Sequence, residues 1–421
     1  MNEPASRDLT VLRAGRLVDV DAGAAVADRL IFVRGDSIEA VEPSAGTAIP
    51  NDARVVDLSA HTLIPGMIDC HAHLVGAIEG ASLGALLENT EARDALLGVK
   101  NARDTLEAGF TTVRDIGTFR AFTDLELRRA INEGMTPGPR MMCAGAYVTV
   151  SGGGGELTGL APDVILPDSM RFGVSNTEAE VRANARAILN RGADFIKVIA
   201  TGAVLAPGTK PGVAEFSEAE IRAAVEVADD YGTHVAAHAH GPEGIKNAIR
   251  AGVRSVEHGS LIDDEAINMM AERGTYLVAD IYCGDYIEEE GRRAGWSPEV
   301  LEKNELTTDA QRRGFSQAVE AGVRLAFGTD SGVYPHGWNA NQLAYMVKYG
   351  LSPIGAIRSA TLWAAELMGW SDRIGSIAAG KYADIVAVEG DASSDVSLLT
   401  SPDFVMKNGE IVRGPNAGPE A

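Results

Sequence analysis

Short apolar or alternating runs that end in turn signals mark both ends of the chain. Residues 10–18, 29–34 and 53–58 form such runs near the amino terminus, and residues 382–388 form another near the carboxyl terminus. Residues 404–412 hold an Asn408-Gly409 pair between two apolar runs, which predicts a hairpin with a tight turn. Neither end has enough strands for a core of its own. The pattern therefore predicts a small β-sandwich domain assembled from residues 1–66 and 371–421.

The central residues 67–370 follow a different pattern, in which a helix closes with glycine and the next apolar strand ends in a polar residue. Six segments repeat this order: residues 109–115, 192–197, 232–238, 252–258, 274–280 and 322–330. Glycine suits the left-handed conformation that follows a helix. Apolar runs before His71 and around residues 140–144 complete eight strands. Eight strands that alternate with helices predict an α/β fold, a closed (β/α)₈ TIM barrel with its chemistry at the carboxyl ends of the strands.

The composition narrows the class of partner and the compartment. The 421 residues carry a formal net charge of −22 and are 45% hydrophobic, which is ample for a core. Nucleic acid and anionic membranes bind to basic surface, so we expect neither as a partner. The three cysteines are far apart, and the first residues contain no apolar signal segment. We therefore expect a reduced, cytoplasmic protein.

Histidines concentrate at the predicted strand ends. Five of the eight fall at or just past these ends: His71, His73, His238, His240 and His258. Because residues i and i+2 of a strand share a face, the first two can hold one cation together. Asp330 ends the eighth predicted strand, beside the first, and can complete that site. His238 and His258 come from neighbouring strands and can hold a second cation.

Lys197 is the unusual member of this set, because it ends the fourth predicted strand beside His238. Two dications would repel an ammonium group at this position. A neutral amine can instead react with carbon dioxide, and the resulting carbamate is an anionic ligand with two oxygens that can bridge two metals. We therefore predict that Lys197 is carboxylated.

The residues His71, His73, Lys197, His238, His258 and Asp330, in this order, resemble the pattern of the amidohydrolase superfamily of metal-dependent hydrolases. Residues 109–115, 238–241, 255–259 and 328–330 are similar to phrases of the branch that contains the Xaa-Pro and Xaa-Arg/Lys dipeptidases, with imidazolonepropionase and ochratoxin-type amidases as relatives. The resemblance implies a homo-oligomer and two zinc ions per subunit. The first zinc would take His71, His73, Lys197 and Asp330, and the second would take Lys197, His238 and His258.

The resemblance also implies a small-molecule amide substrate, a dipeptide or an N-acyl amino acid. A hydroxide that bridges the two metals would attack the carbonyl, and Asp330 would accept its proton and return it to the departing amine. We expect His240 to contact the substrate and Tyr282 to donate to the oxyanion. Three alternatives stay open: a mononuclear cyclic-amide hydrolase or deaminase, an ester or lactone hydrolase, and a non-catalytic metal-binding protein on the same frame.

One segment departs from the family pattern. Many relatives carry a histidine in a Gly-Gly-His phrase after the third strand, whereas residues 151–159 read Ser-Gly-Gly-Gly-Gly-Glu-Leu-Thr-Gly in this chain. The missing histidine leaves dipeptide specificity open. We expect the glycine-rich segment to be either a mobile lid over the site or an ordinary flexible loop.

Overall fold

The computed structural model describes residues 9–76, 83–161 and 163–414. The strands of this part of the chain are β1 (Leu9–Asp19), β2 (Ala24–Arg34), β3 (Ser37–Pro43), β4 (Arg54–Pro65), β5 (Met67–Ala72), β6 (Phe110–Asp115), β7 (Arg140–Cys143), β8 (Tyr147–Val148), β9 (Ile196–Ile199), β10 (Val235–Ala239), β11 (Ser255–His258), β12 (Tyr276–Val278), β13 (Ile385–Glu389), β14 (Phe404–Lys407) and β15 (Glu410–Arg413).

The helices are α1 (Leu83–Glu88), α2 (Glu91–Glu107), α3 (Thr123–Asn132), α4 (Glu178–Asn190), α5 (Glu218–Asp230), α6 (Pro242–Ala251), α7 (Asp264–Arg273), α8 (Cys283–Ala294), α9 (Pro298–Glu320), α10 (Asn341–Lys348), α11 (Pro353–Ser359) and α12 (Leu362–Met368). Two short 3₁₀ helices span Asp168–Met170 and Val396–Thr400. None of the helices within the described ranges has the length and apolar character needed to cross a membrane.

The described residues divide into two compact units. The first contains the residues up to Asp69, Arg103–Thr112 and the residues from Gly337 onward. The second contains the described residues of Cys70–Ala102 and Val113–His336. All the candidate site residues lie in the second unit.

The first unit contains a seven-stranded sheet that joins the two ends of the chain. Its strand order is β15-β14-β13-β4-β1-β2-β3, with β4 parallel to β1 and antiparallel to β13. The buried core of this unit includes Leu12, Ile31, Leu63, Ile385 and Phe404, which come from both termini. Strands from both ends of the chain therefore share one sheet, and the predicted domain boundaries stay a prediction. The sandwich arrangement stays a prediction.

Local sequence signals explain several turns and helix ends. Asn408 and Gly409 have φ angles of 51° and 77°, the left-handed pair that a tight hairpin turn requires between β14 and β15. Ser217 caps α5: its hydroxyl accepts from the Glu220 amide, and the Glu220 carboxylate accepts from the Ser217 amide. Pro242 opens α6, where a missing amide hydrogen costs nothing.

Two further sheets carry β5 to β12. One has the order β5-β6-β7, and the other has the parallel order β12-β11-β10-β9-β8. The prediction of an eighth strand at residues 322–330 is wrong, because this stretch forms no regular strand. It is still held between two strands: the Leu277 amide of β12 donates to the Arg324 carbonyl at 2.8 Å, and the Cys70 amide of β5 donates to the Phe327 carbonyl at 2.9 Å. The structure thus shows a mixed α/β fold in which the sheets are not joined by continuous ladders. The closed barrel stays a prediction.

The predicted end of the fourth strand is also wrong. We expected Lys197 to end its strand, but it is the second residue of β9, which continues through Val198 to Ile199. A polar residue often marks the end of an apolar run, whereas here the backbone pairing with β10 extends beyond the lysine. Because its side chain points to the same face of the sheet as Ile199, Lys197 lies deeper than a strand-end residue.

Candidate metal centre

Three predicted ligands converge at the end of β5. His71 is in the strand, His73 follows it, and Asp330 comes from the irregular stretch beside it. The Asp330 Oδ1 atom lies 3.5 Å from His71 Nε2 and 3.3 Å from His73 Nε2. One donor atom from each residue lies within 4.8 Å of the other two. This group can hold a single metal ion.

A second group of donors comes from β10, β11 and the residue after β10. It contains His238, His240 and His258, again with one donor atom each within 4.8 Å of the others. His258 also belongs to a group with Asp280 and Asp330. Through the shared residues His258 and Asp330, the three groups form one connected cluster of possible metal donors.

Hydrogen bonds indicate which ring nitrogen three of the histidines, His71, His73 and His258, can offer to a metal ion. The Nδ1 atom of His71 donates to Glu257 Oε2 at 2.9 Å, and that of His258 donates to Asp280 Oδ1 at 3.0 Å. The Nδ1 atom of His73 donates to a backbone carbonyl at 2.7 Å. A carboxylate or carbonyl oxygen only accepts, so each of these three Nδ1 atoms carries a proton, and Nε2 is the atom left to bind a metal ion. Metal-bound histidines are held in this way in proteins.

The donor set fits a divalent cation such as zinc. Neutral imidazole nitrogens and carboxylate oxygens are ordinary zinc ligands. Burial, followed by the charge of neighbouring histidines, lowers the pKa of His238 well below its usual range, and burial lowers the pKa of His240 to about 3. Both rings therefore stay neutral near pH 7. A cluster of neutral nitrogens around a buried space is suited to a cation.

Lys197 lies in the wall of the same cavity. Its side chain is only 2% exposed, and it lines the space together with His71 and His238. Burial lowers the pKa of its amine to about 8, against the opposing charge of Glu257. The structure therefore places an amine with reduced basicity in the wall of the cavity that both groups of predicted ligands line.

Two of the ligands stand on strained backbone. Among the described residues, five non-glycine positions have left-handed φ angles, and His258 (68°) and Asp330 (58°) are two of them. Strand alternation would send His258 and Glu257 to opposite faces. The left-handed turn at His258 is where that alternation ends. Such strain is typical of functional sites, where surrounding contacts hold an unfavourable conformation.

The cavity above these residues has a polar floor and apolar walls. It encloses about 1170 Å³, part of which is open to solvent. The apolar side chains that line it include Phe119, Leu157, Ile199, Val204, Leu205, Pro207, Ile287 and Val333. Asn304, Thr307 and Thr308 of α9 add a polar strip. Such a mixture is typical of small-molecule sites, where apolar walls bind and a few polar groups orient.

The glycine-rich segment forms part of this wall. The Gly154 amide donates to the Glu215 carboxylate at 2.9 Å, and the Gly155 amide donates to Thr149 Oγ1 at 3.2 Å. Glu156 lines the cavity, and its carboxylate pairs with Arg171 Nε at 2.8 Å. We expected a mobile lid or a flexible loop, and the structure shows a loop that is tied down by hydrogen bonds.

The two other predicted catalytic residues lie in different surroundings. His240 lines the cavity, its Nδ1 atom lies 2.8 Å from the Ser260 hydroxyl, and its ring stacks on His258 with centroids 4.8 Å apart. Tyr282 is not one of the described residues that line the cavity. It packs edge-on against Tyr334, with ring centroids 5.1 Å apart. The geometry brings His240, but not Tyr282, to the cavity.

The sequence reasoning missed a buried polar layer beneath the ligands. Arg114 and Glu257 form an ion pair at 2.8 Å, and neither side chain is exposed. Gln311 of α9 donates to Asp280 at 2.7 Å and to the His258 carbonyl at 3.2 Å. One signal was available: a charged residue inside an apolar parallel strand requires a partner. Both Arg114 and Glu257 stand in such strands.

A model of the amidohydrolase family matches residues 62–412, which is most of the chain. The chain belongs to the amidohydrolase family. The prediction of this superfamily is confirmed, and the family generally binds metal ions, in agreement with the donor groups described above.

Three comparisons with known proteins support a relation to the dipeptidase branch. A crystal structure of a Xaa-Pro dipeptidase with methionine bound in its active site is 36% identical, covers 97% of this chain and 100% of its own, and superposes with a TM-score of 0.89. Ochratoxinase of Aspergillus niger is 29% identical over 98% of this chain and 88% of its own, and its crystal structure gives a TM-score of 0.85. Imidazolonepropionase of Chromobacterium violaceum is 25% identical over 91% of this chain and 90% of its own. The predicted branch and a hydrolase activity on carbon–nitrogen bonds are confirmed.

Proposed function

We propose that this protein hydrolyses the amide bond of a small substrate, a dipeptide or an N-acyl amino acid, at a centre of two zinc ions. The observation that carries the proposal is the convergence of two connected donor groups on one cavity. The similarity to a Xaa-Pro dipeptidase and to ochratoxinase supports the substrate class. The high TM-score of the dipeptidase structure supports the closed (β/α)₈ barrel and the joined β domain.

The residues would divide between the two ions as follows. His71, His73 and Asp330 would hold the first, and His238 and His258 would hold the second, with carboxylated Lys197 contributing to both. When bound, two zinc ions would lower the pKa of a water molecule and polarise the scissile carbonyl. The hydrogen bonds from His71 to Glu257 and from His258 to Asp280 would keep the two imidazole rings in place.

Lys197 would become a ligand by a balanced addition. Its neutral Nζ amine forms a nitrogen–carbon bond with carbon dioxide and releases one proton, which leaves a carbamate anion with two oxygens. The burial of the side chain among the ligands supports this assignment. An uncarboxylated ammonium would add a positive charge where two cations bind, and that arrangement is unfavourable.

Asp330 would transfer the proton that amide hydrolysis requires. Its Oδ1 atom faces the Nε2 atoms of His71 and His73 at the floor of the cavity. There it would accept the proton of the attacking water and donate it to the amine nitrogen as the carbon–nitrogen bond breaks. An amine leaves poorly without a proton, so both transfers are needed. His240 would contact the substrate carbonyl through its Nε2 atom, because its Nδ1 atom faces Ser260.

The test is hydrolysis of a library of dipeptides and N-acyl amino acids by protein supplied with zinc and bicarbonate. We expect two zinc ions per chain and turnover of amide substrates. Lys197→Ala should lose metal and activity together, while Lys348→Ala, which removes an exposed lysine, should lose neither. Full activity of Lys197→Ala would contradict the carbamate, and cleavage of esters alone would overturn the amidase assignment.

A one-metal hydrolase of cyclic amides is the second candidate. The similarity to imidazolonepropionase favours it. A single metal ion has no need for a bridging carbamate, so this candidate predicts one zinc per chain and little effect of Lys197→Ala on metal content. Metal analysis of the wild-type protein and the variant separates the two candidates.

A further inference from the structure

A buried network of hydrogen bonds connects His71 of β5 to side chains of β6 and β11. Glu257 of β11 uses Oε2 to accept from His71 Nδ1 at 2.9 Å. Its other oxygen, Oε1, accepts from Arg114 Nη2 at 2.8 Å and from the Ser255 hydroxyl at 2.5 Å. Both oxygens of the carboxylate are therefore occupied, one by the ligand and one by groups that never face the cavity.

Arg114 is itself held at several points. Its Nε atom donates to the Cys70 carbonyl at 2.6 Å, its Nη1 atom donates to Ser255 Oγ at 3.1 Å, and its guanidinium lies over the ring of Phe195 at 5.4 Å. The cation neutralises the buried carboxylate, which would otherwise be strongly unfavourable. The planar guanidinium also fixes the direction of the carboxylate, as a lysine would not.

This arrangement determines the state of His71. A carboxylate whose other oxygen is occupied by a cation and a hydroxyl remains an acceptor, so His71 must carry its proton on Nδ1. The Nε2 atom faces Asp330 Oδ1 at 3.5 Å, which is the side from which the first metal ion would bind. His73 lacks such a partner, since its Nδ1 atom donates to the neutral Gly117 carbonyl.

We propose that Glu257, fixed by Arg114 and Ser255, is a positioning residue that sets the tautomer and direction of His71 for the first metal ion. The proposal rests on the metal centre proposed above. Glu257 does not line the cavity, so it acts through His71 and not on the substrate. Loss of such a partner typically weakens metal binding by about 10- to 100-fold.

The test measures zinc binding to metal-free protein by competition with a chromophoric chelator. Wild-type protein should bind two zinc ions, and Glu257→Gln should bind one of them about 10- to 100-fold more weakly while the other is unchanged. Ser255→Ala keeps both charges and removes only the hydroxyl, so it should give a smaller loss. It also keeps the test valid if Glu257→Gln does not fold.

Asp94→Asn is the matched control, because it breaks another buried ion pair, that of Asp94 with Arg120 at 3.1 Å. It should lower the melting temperature without changing zinc affinity. Equal zinc affinities in wild type, Glu257→Gln and Ser255→Ala would overturn the positioning role. A loss in Asp94→Asn as large as that in Glu257→Gln would overturn it too, because the effect would then be general destabilisation. If the wild-type protein bound fewer than two zinc ions, the proposed binuclear centre itself would fail.

Discussion

The glycine-rich loop is packed closely enough that replacing glycine by alanine should destabilise the protein at Gly155, whereas the same replacement should stabilise it at Gly212. A methyl group added at Gly155 would lie 2.6 Å from Ile199 Cγ1 and 3.0 Å from Thr149 Cβ. Carbon atoms pack at about 3.5–4.0 Å, so the loop or its neighbours must move by about 1 Å. Overpacking of this kind typically costs about 1–3 kcal/mol. We expect Gly155→Ala to lower the free energy of unfolding by that amount.

Gly212→Ala is the matched control in a nearby loop. The added methyl would meet Leu261 Cδ1 at 3.6 Å, which is an ordinary contact, and the Gly212 backbone is not left-handed. Alanine then restricts the unfolded chain more than the folded one, so we expect a stabilisation of about 0.4–1 kcal/mol. The same chemical change should therefore destabilise at one glycine and stabilise at the other.

Thermal unfolding followed by circular dichroism measures both effects. With an unfolding entropy of about 2.1 cal/mol/K per residue, about 1 kcal/mol moves the melting temperature of a chain of this size by roughly 1 °C. Gly155→Ala should melt about 1–3 °C below the wild type, and Gly212→Ala should melt at or slightly above it. If Gly155→Ala melts as high as Gly212→Ala, the loop has room for a side chain and is not the packed wall described here.

Three further predictions follow from the buried polar groups and the metal centre. Gln311→Ala removes the hydrogen bonds to Asp280 and to the His258 carbonyl and should cost about 2–4 kcal/mol in urea unfolding, whereas Gln317→Ala on the exposed face of the same helix should cost less than about 0.5 kcal/mol. Burial raises the pKa of Asp124 to about 7, above its unfolded value of 3.8, so its stabilising contribution is complete below pH 4 and is lost as the pH rises to 7. The stability advantage of wild type over Asp124→Asn should therefore shrink between pH 5 and pH 8, and an unchanged difference would contradict the raised pKa. Removal of metal with a chelator should lower the melting temperature and added zinc should restore it, as scanning calorimetry would measure, because a ligand that binds only the folded state stabilises it.

Much of the candidate site was predictable because parallel strands present their ends on one edge of a sheet. Side chains alternate between the two faces of a strand, which predicts His71 and His73 on one face. The structure agrees, because both Nε2 atoms lie close to Asp330 Oδ1. The same logic related His238 to His258 through the neighbouring strands β10 and β11. These relations depend only on strand order and alternation, and both can be read from the chain.

The remainder depends on contacts that no local pattern encodes. The Glu257 carboxylate meets Arg114 across 143 positions of sequence and His71 across 186. The glycine-rich segment has the composition of a flexible loop, yet Glu215 and Thr149 tie it down from other parts of the fold. Composition predicts how freely a segment can move in isolation, whereas partners from elsewhere in the chain decide whether it is held.

The strained backbone at His258 and Asp330 shows that the candidate metal centre depends on contacts from the whole fold. A left-handed conformation costs a non-glycine residue about 1–2 kcal/mol, so neither His258 nor Asp330 would adopt it in an isolated strand. Gln311 holds the His258 carbonyl, and the Asp330 amide donates to the His71 carbonyl at 2.8 Å, so each strained residue is fixed by a distant partner. These contacts offset the strain and orient the ligands at the same time. Substitutions that release the backbone should therefore weaken metal binding even where every ligand is retained.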